Sequence, residues 1–136
     1  MGGVGLLSNR IEGKWIDCFA RTFQLCKVAP GDAVAILSET QSRQINVELA
    51  ELALQRLGAR PFHVVLVTPR LESPVPIRST GASNAVQQLG PAIKALAASA
   101  MVIDITVEGM LHAVELAEIL SGGTRLYMIS NEHPEV

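Results

Sequence analysis

The sequence predicts an α/β domain of the three-layer, Rossmann- or flavodoxin-like kind. Its core is a four-stranded, mostly parallel sheet with helices on both faces. Helix-period and strand-like segments alternate as α-β-α-β-α-β-α-β, the rhythm that builds a parallel sheet through crossover connections. The strand segments are continuous apolar runs, as expected when both faces of a sheet are covered. No internal repeat of about 20–50 residues competes with this pattern.

The first helix spans Ile11 to Val28, where Trp15, Ile16, Phe19, Phe23 and Cys26 recur at mostly helical spacing. Pro30-Gly31-Asp32 is the turn that stops it. Ala33–Leu37 reads as a buried strand. Ser42 or a neighbour can cap the next helix, whose stripe is Ile45, Leu49, Leu52, Ala53 and Leu57. Gly58 stands where a left-handed residue closes a helix. Phe62–Val67 is a second strand, rich in β-branched residues. Thr68–Ser83 holds Pro69, Pro74, Pro76 and Gly81 without periodicity and reads as a long loop. A helix resumes over Asn84–Ser99, with Gly90-Pro91 as a break or a fresh start. Met101–Ile105 is a third strand, Leu111–Leu120 a short helix and Arg125–Ile129 a fourth strand. Residues 1–10, with Gly2, Gly3 and Gly5, read as a flexible N-terminus, and 11–136 as a single domain.

Composition narrows the function. The chain has 136 residues, 49% of them hydrophobic and 18% charged, which excludes a disordered chain. Its net charge of −2 argues against a nucleic-acid partner, which selects a basic face. Its apolar runs are too short to cross a membrane. The start lacks the basic n-region of a signal peptide, so the expected location is cytoplasmic. Cys18 and Cys26 lie eight residues apart on one helix, roughly 12 Å along its axis. A disulfide needs Cα atoms within about 7 Å, so two buried free thiols are expected.

In open parallel sheets, ligands bind beyond the carboxyl ends of the strands. That rule selects Ser38-Glu39-Thr40, Thr68-Pro69-Arg70, Thr106-Val107-Glu108 and Ser130-Asn131-Glu132. The ligand-rim candidates are Ser38, Glu39, Thr40, Thr106 and Glu108; strands must also end in polar loops for structural reasons alone. Glu39, which ends the first strand, is the best isolated acid–base candidate. No glycine stands in Ser38–Arg43, so the G-x-G-x-x-G of a dinucleotide site is missing there. A phosphate-binding G-x-x-x-x-G-K-[ST] and the G-x-S-x-G of a nucleophile elbow are missing too. His112 has Glu108 four residues before it and Glu115 three after, the spacing of a metal pair on a helix. Gly109 opposes so early a helix start, and a solvated charged face is the default. No catalytic or metal-ligating residue is assigned. His63 reads as a packed or edge histidine, His133 as exposed, and Arg70 and Arg78 as loop cations able to grip an anion or another subunit.

The segments "KVAPGDAVAIL", "LGARPFHVVL", "IKALAASAMVIDITVEGMLHA" and "SGGTRLYMISNEHPEV" together resemble the aminopeptidase T-like metalloenzymes. Within them the sequence looks most like the 2,5-dihydroxypyridine 5,6-dioxygenases of nicotinate and nicotine breakdown. The resemblance runs from about Ile11 to the end and rests on scaffold patterns. It implies an N-terminal scaffold or oligomerisation domain of a longer, Fe(II)-dependent enzyme. The family's histidine and acidic ligands belong to a C-terminal catalytic domain, so none is carried onto a residue here and no cofactor is expected in this chain. Homo-oligomerisation of the parent is also implied. Of the strand orders 2-1-3-4 and 3-2-1-4, the resemblance favours the first. The alternatives are a metallopeptidase parent, or a stand-alone small-molecule-binding or protein-interaction module.

Overall fold

A computed structural model describes residues 11–68, 85–129 and 134. Expectations for residues 1–10, most of the long loop with Arg70 and Arg78, the 130–132 strand end and His133 fall outside the described residues. Within them the chain forms α1 (Gly13–Leu25), β1 (Ala33–Glu39), α2 (Gln44–Arg56), β2 (Arg60–Leu66), α3 (Gly90–Ala97), β3 (Met101–Ile105), α4 (Leu116–Leu120) and β4 (Arg125–Met128). The sheet is four-stranded and parallel throughout, in the order β2-β1-β3-β4.

β1 and β3 are central. From Val34 to Glu39 and from Met101 to Ile105 every residue is buried. Alternation sends Val34 and Ile36 to one face, against Phe23, Ala50 and Leu54 of α1 and α2. It sends Ala35 and Leu37 to the other, against Ile93, Leu96 and Ile119 of α3 and α4. Two cores separated by one sheet make the three layers. Trp15, Ile45 and Leu49 extend the first core between the two helices. Phe23 is fully buried and meets Phe19 and Tyr127 edge-to-face, with centroids 6.1 and 6.3 Å away. Arg125 donates to the Cys26 carbonyl, so the turn after α1 is fixed to the start of β4.

Several boundaries move for identifiable reasons. α1 ends at Leu25 rather than Val28, because Lys27 takes a left-handed φ of 65° and turns the chain into β1. β1 runs on to Glu39, since Ser38 and Glu39 keep pairing with Val65 and Leu66. Gly58 does adopt φ 78°, and a Cβ there would stand 3.3 Å from Pro30 Cβ. Gly90 begins a new helix; Ala85–Gln88 before it is only a turn. Pro91 then sits in the first helical turn, where its missing amide has no partner to lose. Ser42 does not cap α2. The N-cap is Arg43, without a side-chain bond, and the Ser42 hydroxyl is used elsewhere. The helix expected over Leu111–Leu120 keeps only its last turn and a half. Cys18 is exposed and Cys26 half-buried, so the two free thiols are not core residues; α1 turns Trp15, Ala20 and Phe23 inward instead.

Truncating the most enclosed aromatic tests this core. Phe23→Ala should destabilise the domain by about 3–5 kcal/mol, read as a shift in urea midpoint with an unchanged slope.

Candidate functional site

The strand order reverses direction between β1 and β3, since the chain leaves β1 for β2 on one side and returns to β3 on the other. Their carboxyl ends frame the crevice where doubly wound sheets hold ligands. Ser38, Glu39 and Thr40 lie on one wall and Thr106 and Glu108 on the other. The sequence-selected residues of these two strands do converge, and β3 adds a group that the sequence reading missed.

That group is Asp104, fully buried. Its Oδ1 accepts the Thr106 amide at 3.0 Å and the Thr106 hydroxyl at 2.6 Å. Its Oδ2 accepts the Met110 amide at 2.8 Å. One carboxylate therefore gathers the loop after β3 around itself. Gly109 within it has φ 76°, and a Cβ there would collide with the Met128 thioether. Burial raises the Asp104 pKa above its ordinary value; the Thr106 and Met110 bonds pull against that shift. An aspartate inside an apolar strand was the available signal, because a buried carboxylate is rare unless it is bonded.

Glu39 is nearly as enclosed, at 5% exposure. Its Oε2 accepts the Val107 amide at 2.5 Å, across the crevice from β1 to the β3 loop. Burial raises its pKa, opposed by the Val107 and Thr68 bonds and reinforced by the nearby Asp104 and Glu108 charges. Ser42 makes the parallel link. Its hydroxyl donates to the Ile105 carbonyl at 2.5 Å and accepts the Glu39 amide at 2.8 Å. Thr40 and Thr68 join the ends of β1 and β2 by hydroxyl and amide bonds of 3.0–3.2 Å. Ser38 and Thr106 are buried; Thr40 is exposed and Glu108 half-buried.

A cleft of about 420 Å³ opens beside this crevice, between α2 and β2. Ser38, Glu39, Thr40, Glu48, Glu51 and His63 contribute to its wall. His63 is an edge residue, with Nε2 2.5 Å from Glu51 Oε1. A smaller cleft of about 200 Å³ lies between α1 and β4, lined by Phe19, Phe23 and Tyr127 among others. His112 is exposed in the turn before α4, so Glu108, His112 and Glu115 do not share a helix face. Among the described residues, no three His, Cys, Asp or Glu side chains are grouped to hold a metal ion. The two buried carboxylates at the crevice already accept backbone amides. This donor set does not fit an iron centre.

No helix among the described residues is long and apolar enough to cross a membrane.

A family model and a solved structure point to the same family. The family described as NicX: 2,5-dihydroxypyridine 5,6-dioxygenase matches residues 14–136. A solved structure of 2,5-dihydroxypyridine dioxygenase from Pseudomonas putida KT2440 superimposes with a TM-score of 0.79 at 27% identity. That match covers 93% of this chain and 36% of the dioxygenase, so the chain spans about a third of its relative's length. The NpsA N-terminal subdomain from Klebsiella oxytoca, in complex with anthranilyl-AMSN, matches at 21% identity and TM-score 0.41. It covers 77% of this chain and 23% of that one, too loose a likeness to bear on function. No curated protein matches the sequence.

Two substitutions test the crevice. Asp104→Asn places an amide donor where two amides and a hydroxyl now donate, leaving a buried donor unmet. It should cost about 1–3 kcal/mol in chemical denaturation. Glu39→Gln keeps an acceptor for Val107 but cannot ionise. A carboxyl whose folded pKa is raised binds its proton more tightly in the native state. Its stabilising contribution is full below the ordinary carboxylate pKa and is lost as pH rises through the raised value. The gap in unfolding free energy between Glu39→Gln and the parent should therefore widen in the variant's favour from pH 4 to pH 8.

Proposed function

The chain belongs to the 2,5-dihydroxypyridine 5,6-dioxygenase family, and from that premise we propose that it is the N-terminal scaffold and assembly domain of a ring-cleaving dioxygenase. The parent enzyme would act on an aromatic N-heterocycle with Fe(II), and its metal ligands would lie in the part of the enzyme that this chain does not span. The chain itself shapes and holds; it does not perform the oxidation.

The observation that carries this reading is how the strand ends are used. In a sheet of this order, a ligand site needs free donors and acceptors at the β1 and β3 ends. Here Glu39 accepts from Val107, Ser42 bridges to Ile105, and Asp104 holds Thr106 and Met110. These groups bind the domain's own backbone. Such a crevice serves rigidity, and a rigid plate with a fixed loop after β3 is what a neighbouring catalytic domain needs to pack on. The match to about a third of a dioxygenase's length supports the same division of labour.

The 136-residue chain titrated with Fe(II) under anaerobic conditions should give no stoichiometric binding in calorimetry. With Fe(II) and 2,5-dihydroxypyridine in air it should consume no oxygen above the metal-only control. One-to-one iron binding accompanied by turnover would overturn the scaffold reading.

A further inference from the structure

We draw no further inference here: the strongest candidate, the cleft of about 420 Å³ between α2 and β2 with Glu48, Glu51 and His63 in its wall, carries none, because nothing among the described residues shows what covers it.

Discussion

The carboxylate of Asp104 is the constraint from which the candidate site follows. It is buried at the end of a central strand, where an unbonded carboxylate would be strongly destabilising. The chain meets that demand by folding the loop after β3 back onto it, so that Thr106 and Met110 supply donors. The loop's path then fixes where the Val107 amide points, and that direction is the one Glu39 needs from β1. Gly109 belongs to the same solution: only a glycine passes the Met128 side chain with a left-handed backbone. Remove the carboxylate and the reason for each of these neighbours disappears with it.

The same arrangement shows what a doubly wound sheet can do with the place where such folds often hold ligands. The crevice between β1 and β3 is present, but it is filled by the domain's own polar groups. Two carboxylates sit at a place where a phosphate or another anion is often held, and they use the backbone amides such a ligand would use. Among the described residues, the valines of β2, the cleft between α2 and β2 and the cleft between α1 and β4 are open to solvent.

Much of the fold could be read from residue order, because burial on both faces leaves a plain apolar signature. Val34–Leu37 and Met101–Ile105 admit few readings other than central strands, and Gly58 marks its helix end by a conformation few other residues accept. The site was legible only in part. Ser38, Glu39, Thr40, Thr106 and Glu108 follow from a rule about strand ends, which needs only the strand positions. Asp104 and Ser42 do not. Their roles depend on which loop folds over which strand, and Ser42 lies next to a helix start where capping is the ordinary use of a serine. The solvent side of α1 misled for a related reason. Cys18 belongs to a residue type that is usually buried, but the helix turns Trp15 and Phe23 inward, and the cysteine follows from their geometry.

The bonds at the crevice differ in how far they reach along the chain. Asp104 meets Thr106 and Met110 two and six residues away, whereas Glu39 meets Val107 across 68 residues and Ser42 meets Ile105 across 63. The near bonds need only one strand and its following loop. The far ones exist only after β1 and β3 have come together. Closing long loops carries an entropic penalty that contacts must repay, so the two kinds of bond belong to different stages of folding. The loop around Asp104 is a local unit able to form early, and the seal made by Glu39 and Ser42 is a latch that records the docking of two strands. In the native state the order reverses: the latch can open while the local loop persists, which makes exchange of the Val107 amide a reporter of whether the centre of the sheet is joined.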